Sequence, residues 1–384
     1  MGATLSEPET EKKNETVESN EYLIVSTSMQ GWRRNMEDRH LHMLKMPKDK
    51  EAAFFAVFDG HGGDEISKFC AEHLPYHIGK SKKYKKGKIE EGLIEGFLGT
   101  PQVFLIIMDF IHSISSACDE DLRKKEQVSI AVGTTAVTAL IKDGIMYVAN
   151  VGDSRCVACI DNGVAKPLTE DDKADKPGER ERIEKAGGFV EGGRINGKLG
   201  VSRAFGDFQY KAKSNLSRDK QEVVCTPKLT KQVIDDNLKF VLLYCDGISE
   251  VKSNDEVVDF FIEGLAAEKS IETVNAELME SCMAKEKKNR TRVGYDNMTI
   301  VVLCFLHGKA FESLVQYCKS VAASPEFQSR KLKHDIAAKK YWLEMFANYD
   351  QDAKLDLEWL EKHQTLPITR PRSETTKTEE NSTS

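Results

Sequence analysis

The chain has 384 residues, with 55 lysines and arginines against 62 aspartates and glutamates, which gives a net charge of −7. This length is enough for one large domain or two ordinary ones, and the acidic balance argues against nucleic acid as the main ligand. The cysteines are odd in number and scattered, which predicts reduced cytosolic thiols rather than a disulfide framework.

The N-terminal residues 1–20 are polar and acidic and contain no apolar stretch, so we expect disorder and no secretory signal. The opening Met1–Ser6 matches the N-myristoylation pattern with Gly2 as the acceptor, although so short a pattern also arises by chance. A single acyl chain gives only reversible membrane binding. The lysine-rich Lys80–Lys88 fits a solvated loop or a nuclear import signal. We therefore expect a cytoplasmic protein, with nuclear or reversibly membrane-associated locations as alternatives.

Strands and helices are predicted along most of the chain from the spacing of apolar residues. Runs bounded by turn residues predict strands at Glu21–Ser28, Phe54–Phe58, Gly133–Ile141, Ile145–Asn150, Arg155–Ile160, Phe240–Cys245 and Thr299–Phe305. Helical spacing predicts helices at Asp64–Ile78, Glu179–Ala186 and Ile271–Lys288, and a capping box at Ser253 and Glu256 predicts the start of another.

Carboxylates lie at the ends of these predicted strands. The strand-end residues are Asp59, Asp153, Asp246 and Asp296, and Glu37 and Asp38 lie just beyond the first strand. Strand ends in a packed sheet can converge at one edge, where uncompensated carboxylates would repel each other. Such a cluster is expected only if cations hold it, and all-oxygen ligands favour Mg²⁺ or Mn²⁺ over Zn²⁺.

This arrangement suits chemistry on a phosphate. Two such ions can share a water, lower its pKa and hold it in line for attack on phosphorus. Arg33 can bind phosphate oxygens through its planar guanidinium, and His61 can protonate the leaving oxygen. Taken singly, each motif also fits an ordinary turn or a solvated charged strand.

Several segments in chain order together resemble the metal-dependent PPM/PP2C serine/threonine phosphatases over about residues 21–306. These segments are Arg33–Asp38, Asp59–Gly63, Val151–Arg155, Leu199–Asp207, Asp246-Gly247 and Asp296-Asn297. The resemblance implies an α+β fold, a four-layer α/β/β/α sandwich of two antiparallel sheets flanked by helices. It also implies hydrolysis of phosphoserine and phosphothreonine on proteins by a water activated by two Mg²⁺ or Mn²⁺ ions, without a covalent intermediate.

The resemblance also assigns roles to single residues. Asp59 is expected to bridge two metals, and the Gly60 carbonyl to bind one of them. Asp246 and Asp296 are expected to ligate the other metal. Glu37 is expected to bind metal directly or through water, and Asp38 to support these ligands. Arg33 is expected to bind phosphate, and His61 to act as the general acid. A weaker third metal is expected at Asp153, Asp246 and Glu250.

The chain departs from the family pattern in several places. Ser249 stands where the family has tryptophan, and Glu250 stands where aspartate is common, which changes the third metal site. Asp171–Ala174 lacks the His and Pro often found there, so the flap that shapes substrate choice is expected to differ. Residues 101–118 interrupt a helix and are interpreted as an insertion; a gene-model artefact is the alternative.

Beyond the catalytic region, residues 307–364 are predicted to form an appended helical extension like that of animal-type members, followed by a disordered tail at 365–384. The stretch 350–361 has acidic residues at EF-hand spacing. However, Lys354 and Leu355 break that pattern, so an acidic helix-turn-helix is the favoured interpretation.

Three functions fit the sequence. The favoured one is an active, monomeric enzyme acting on phosphoproteins, since Arg33, Asp59, Asp246 and Asp296 are all present. The alternatives are a catalytically silent member that serves as a binding module, and a related hydrolase of small phosphorylated molecules.

Overall fold

The structure is a computed structural model that describes residues 4–100, 131–286 and 293–346. Gly2, the predicted insertion at 101–118, the EF-hand-like stretch at 350–361 and the tail at 365–384 lie outside these residues. The chain divides into two compact units between Ala322 and Ala323.

Two large antiparallel sheets form the centre of the first unit. The strands are β1 (Thr4–Glu18), β2 (Tyr22–Arg33), β3 (Arg39–Met43), β4 (Ala53–Phe58), β5 (Gly60–His61), β6 (Gly133–Thr134), β7 (Ala136–Lys142), β8 (Ile145–Val151), β9 (Arg155–Ile160), β10 (Val164–Pro167), β11 (Val190–Glu191), β12 (Arg194–Ile195), β13 (Phe205–Gly206), β14 (Lys228–Val233), β15 (Phe240–Tyr244) and β16 (Met298–Phe305). The first sheet has the order β1-β2-β16-β15-β9-β10 and the second β14-β8-β7-β4-β3, while β13-β6-β5 and β11-β12 form small sheets.

The helices of the first unit are α1 (Glu65–Lys80), α2 (89–100), α3 (Pro177–Lys185), α4 (Asp246–Ser249), α5 (Asn254–Ala266), α6 (Ile271–Cys282) and α7 (Phe311–Ala322), and α8 (Pro325–Phe346) belongs to the second unit. Helices α1, α2 and α5 pack on the outer faces of the large sheets. The predicted capping box opens α5, where the Glu256 carboxylate accepts from the Ser253 backbone N–H at 2.8 Å. None of the described helices combines the length and apolarity needed to cross a bilayer.

Strand β4 shows how the layers pack. Phe55 and Val57 face a buried layer shared by both large sheets, whereas Phe54 and Phe58 pack against α1 and α2 on the opposite face. Both faces of the strand are therefore apolar, as its continuous hydrophobic run indicates. On the far side, Phe240 of the first sheet contacts a phenylalanine of α5, with ring centroids 6.0 Å apart. The α+β, four-layer sandwich is confirmed.

The prediction of disorder for residues 1–20 is wrong for Thr4–Glu18. This segment forms β1 and pairs antiparallel with β2 along the edge of the first sheet. Val17 packs against the buried layer between the sheets, and Asn14 Oδ1 accepts from the Thr27 hydroxyl at 2.7 Å. Polar residues are tolerated because most of an edge strand faces solvent, and this composition concealed the strand.

The predicted C-terminal helices are present as α7 and α8, but the predicted boundary after residue 306 lies too early. Helix α7 belongs to the first unit. Its Leu314 and Cys318 are buried, and the Tyr317 hydroxyl accepts from the Gly163 backbone N–H at 2.9 Å. Helix α8 begins the second unit, after this boundary.

A satellite core lies beneath α3 and the loops that follow it. Glu179 of α3 is almost fully buried and accepts hydrogen bonds from Ser202 Oγ and Arg203 Nη2, both at 2.7 Å. Burial alone would raise the pKa of Glu179, but these hydrogen bonds and the charge of Arg182 lower it to about 2. This carboxylate therefore ties α3 to the segment around Ser202.

We predict that Glu179→Gln destabilises the protein near neutral pH by about 1.5–3 kcal/mol, the range for hydrogen bonds to charged groups. Because the pKa of Glu179 is lower in the folded chain, its stabilisation is full above the unfolded pKa near 4.3 and is lost as pH falls towards 2. Urea denaturation of wild type and variant at about pH 7 and about pH 4 should show the difference shrinking.

The matched control is Glu181→Gln, two residues away on α3. Glu181 is exposed and pairs only with Lys185 at 2.6 Å among the described contacts, so its replacement should leave the stability close to that of wild type. A cost for Glu179→Gln that did not change with pH would contradict the assignment.

Candidate active site

The ends of strands from both large sheets meet at one edge of the sandwich. Asp59 follows β4 of the second sheet, while Asp246 follows β15 of the first. The Asp246 backbone N–H lies 3.4 Å from Asp59 Oδ2. Ligand atoms of Asp38, Asp59 and Cys245 lie within 4.8 Å of one another. The structure thus brings together carboxylates that the sequence separates by almost two hundred residues.

These carboxylates lie beside one another, with Asp38 buried and Asp59 and Asp246 partly buried. Burial, followed by the charges of Asp246, Asp38 and Asp296, raises the pKa of Asp59 well above its ordinary value. Burial and the neighbouring charges raise the pKa of Asp246 in the same direction. For Asp38, burial and the charge of Asp296 raise the pKa to about 7. Ionisation of the cluster is therefore unfavourable in the protein alone, and bound cations would stabilise the ionised form.

The donor set fits a hard divalent cation. Its carboxylate oxygens are the ligands that Mg²⁺ and Mn²⁺ prefer. Burial raises the pKa of the neighbouring Cys245 thiol well above its ordinary value, so it stays protonated at neutral pH and offers no thiolate. Asp38 is fixed by the Thr299 hydroxyl, which donates to Asp38 Oδ2 at 2.7 Å.

Glu37 and Gly60 lie against each other at this edge. A side chain at position 60 would clash with the Glu37 carbonyl oxygen, so only glycine permits this approach. The Ser67 hydroxyl donates to the same carbonyl at 2.6 Å. Burial raises the pKa of Glu37, although the charges of Arg33 and His61 oppose that shift.

Asn297 holds the loop that carries Glu37. Its Oδ1 accepts from the Glu37 backbone N–H at 2.9 Å. Its Nδ2 donates to the carbonyls of Gln30 at 2.8 Å and Asn35 at 3.0 Å. Sequence reasoning noted Asn297 only as part of a motif, and its position directly after Asp296 was the one available signal.

Arg33 forms an ion pair with Asp296, between the carboxylate cluster and solvent. Burial lowers the pKa of the Arg33 guanidinium, but the charges of Asp296, Asp246 and Asp59 outweigh this and raise it. The side chain is 31% exposed, so a fixed cation that a ligand can reach lies beside the cluster.

His61 is held by Asp207, a residue that sequence reasoning missed. His61 Nε2 lies 2.9 Å from Asp207 Oδ2, and the Asp207 side chain is 1% exposed. Burial lowers the pKa of His61, but the hydrogen bond and charge of Asp207 raise it overall. A Cβ at Gly133 would clash with both side chains. The segment Leu199–Asp207, which propensity did not explain, therefore serves partly to place this carboxylate.

Asp153 and Glu250 lie near the cluster, and both raise the pKa of Asp246 through their charges. Lys173 forms an ion pair with the almost buried Asp153, and its charge also acts on Glu250. Lys173 lies in Asp171–Ala174, the segment that departs from the expected pattern. A protein cation therefore already pairs with Asp153, where a third metal ion was expected.

The chain matches the family described as "Protein phosphatase 2C" over residues 22–291. It is 39% identical over 318 residues to a probable protein phosphatase 2C of Caenorhabditis elegans, covering 83% of this chain and 84% of that one. A protein phosphatase 2C homolog of Schizosaccharomyces pombe is 39% identical over 317 residues, covering 81% of this chain and 80% of the other. A phosphatase structure from Toxoplasma gondii shares the fold, with a TM-score of 0.60 and 24% identity over 77% of this chain and 96% of that one.

We predict that Asn297→Ala weakens Mn²⁺ binding by about 10–100-fold, the usual effect of removing a group that orients a ligand. Asn297→Asp should also weaken binding, because a carboxylate accepts from Glu37 but cannot donate to Gln30 and Asn35. Calorimetric titration of the folded variants with Mn²⁺ measures this.

The control for these variants is Asn237→Ala, which removes an exposed amide that contacts Asp235. It should bind Mn²⁺ as wild type does. Unchanged affinity in folded Asn297→Ala would show that the loop does not depend on this side chain.

Proposed function

The chain belongs to the protein phosphatase 2C family, and we propose that it removes phosphate from phosphoserine and phosphothreonine of proteins at the carboxylate cluster around Asp59. The chain is a metal-dependent serine/threonine protein phosphatase. The observation that carries the assignment to this edge is the convergence there of Asp38, Asp59 and Asp246, whose pKa values are all raised.

The cluster would hold two Mg²⁺ or Mn²⁺ ions. Asp59, in the middle of the carboxylates, is the candidate shared ligand, with the Gly60 carbonyl beside it. Asp246 and Asp296 would serve the second ion, and Glu37 would bind directly or through water. When bound, such ions supply Lewis acidity that polarises phosphate oxygens and activates water. Asp38 is buried and fixed by Thr299, which suits a supporting role.

Arg33 would bind the substrate phosphate. Its ion pair with Asp296 holds the guanidinium at the rim of the carboxylate cluster. The charges around it keep it protonated, and its planar fork can donate two parallel hydrogen bonds to phosphate oxygens. Arg33 would thus hold the substrate phosphate next to the cluster and orient it without forming a covalent bond to it.

His61 would donate the proton that the departing serine or threonine oxygen needs. Asp207 accepts from one ring nitrogen and favours the protonated imidazole. A protonated imidazole that is 30% exposed can reach a substrate at the rim. In this assignment Asp207 is a positioning residue, since it acts through His61.

A weaker third cation would use Asp153, Asp246 and Glu250. The ion pair between Lys173 and Asp153 competes with it. We propose that this ion binds only when Lys173 moves away from Asp153, and that the two main ions bind regardless.

Further proposals concern the partners and the location of the protein. We propose phosphoprotein substrates, a monomeric enzyme in the cytoplasm, and reversible membrane association if Gly2 is acylated. A nuclear pool would require that Lys80–Lys88 act as an import signal.

The first test measures phosphate release from a phosphothreonine peptide with Mn²⁺, with Mg²⁺ and with EDTA. Wild type should act only with a divalent ion. Asp59→Asn should lose more than about a hundredfold in kcat/KM, since replacing a residue that only orients a metal ligand already costs about 10–100-fold in metal affinity or activity. Asp219→Asn, a change at an exposed aspartate, should act as wild type does.

Two outcomes would contradict this function. Folded wild type that binds Mn²⁺ but releases no phosphate from any phosphopeptide would favour the silent binding module. Release from small phosphorylated molecules alone would favour the related small-molecule hydrolase.

The second test separates proton donation from general structure. His61→Gln and Asp207→Asn should slow hydrolysis of a phosphoserine peptide by about 10²–10⁴-fold, the usual contribution of general acid catalysis. Both should affect p-nitrophenyl phosphate much less, because nitrophenolate leaves without a proton. Equal losses on both substrates would contradict the assigned roles of His61 and Asp207.

A further inference from the structure

Three potential metal ligands lie together outside the catalytic cluster. Glu15 is on β1, and His40 and His42 are on β3. Their ligand atoms lie within 4.8 Å of one another. Strand β1 is the edge of the first large sheet and β3 is the edge of the second, so the three side chains span the gap between two sheet edges.

The strand registers explain why the three side chains converge. His40 and His42 pair with Val57 and Phe55 of β4, whose side chains lie in the layer between the sheets. Directly paired residues share a face, so both imidazoles face inwards. Glu15 lies two residues before Val17, which packs against that same layer, and alternate strand residues also share a face.

The distances suit a small borderline cation. Glu15 Oε1 lies 3.6 Å from His40 Nε2, and Glu15 Oε2 lies 3.7 Å from His42 Nε2. In a tetrahedral zinc site with bonds of about 2.0–2.1 Å, ligand atoms lie about 3.3–3.4 Å apart. The side chains of His40 and His42 are 13% and 10% exposed, whereas that of Glu15 is 63% exposed. Small movements of the exposed Glu15 would therefore close the site, and an ion can enter past it.

Ser26 orients one of the imidazoles. Its Oγ lies 3.4 Å from His42 Nδ1 and 3.5 Å from the Glu15 carbonyl oxygen. A hydroxyl that donates to the carbonyl can accept from Nδ1–H, which leaves the Nε2 lone pair of His42 free to bind a metal. Burial also lowers the pKa of His42, and the neutral imidazole is the form that binds metals.

We propose that Glu15, His40 and His42 form a zinc site, distinct from the catalytic cluster, that fastens β1 to β3. Two imidazoles and one carboxylate suit Zn²⁺, whereas the oxygen-only catalytic cluster suits Mg²⁺ or Mn²⁺. A water would complete four-coordination. Because Asp38 directly precedes β3, zinc at this site would link the N-terminal strand to the loop that carries Glu37 and Asp38.

The test measures zinc stoichiometry and affinity of the full chain by competition with a chromophoric chelator. Excess Mg²⁺ is present to fill oxygen-only sites. Wild type should bind one more tight zinc per chain than His42→Ala, and Glu15→Gln should bind that zinc at least about tenfold more weakly. His73→Ala, which removes an imidazole stacked on Phe69 of α1, should bind zinc as wild type does.

A second measurement tests the role of the zinc and does not depend on phosphatase activity. Zinc should slow hydrogen exchange of the Thr4–Glu18 backbone in wild type and not in Glu15→Gln, whose exposed position leaves folding intact. Equal zinc number and affinity in wild type, His42→Ala and Glu15→Gln would overturn the proposal. So would zinc protection of β1 that is the same in wild type and Glu15→Gln.

Discussion

The candidate active edge of this protein is governed by the repulsion between carboxylates that the fold places side by side. Asp59 and Asp246 come from different sheets, and the pKa values of both are raised by desolvation and by neighbouring carboxylates. Isolated buried charges are strongly unfavourable, and partners or metals normally compensate them. Bound cations would therefore stabilise the ionised carboxylates, and the metal dependence follows from how the fold places them.

The sandwich supplies the rigidity that this arrangement needs. Apolar residues of both sheets fill the layer between them, so the strand ends cannot separate to relieve the repulsion. Hydrogen bonds then hold residues around the cluster in place. Thr299 fixes Asp38, and Asn297 fixes the loop carrying Glu37. Around the rim, Arg33 and His61 are paired with Asp296 and Asp207, so groups that would bind phosphate and deliver a proton are already oriented.

Structural features that are encoded in a local sequence pattern were predicted from the sequence. The apolar run before Asp59 identifies a buried strand with a carboxylate at its exit, and the same pattern recurs at Asp246. Strand β1 was missed because an edge strand with polar residues has no clear alternation. Asp207 and Asn297 act on residues more than a hundred positions away, and no local spacing records such contacts. The proposed zinc ligands join a segment predicted to be disordered to a strand that was not predicted, so only the structure could bring them together.

The most direct test of the central claim is a crystal structure grown with Mn²⁺ and examined for anomalous scattering. The account predicts two strong peaks at the shared edge of the sheets, each within about 2 Å of a carboxylate oxygen, with Asp59 contacting both. It also predicts that the peaks vanish in Asp59→Asn. Ordered protein with no anomalous peak at Asp59 or Asp246 would show that cations do not compensate these carboxylates, and would contradict the account.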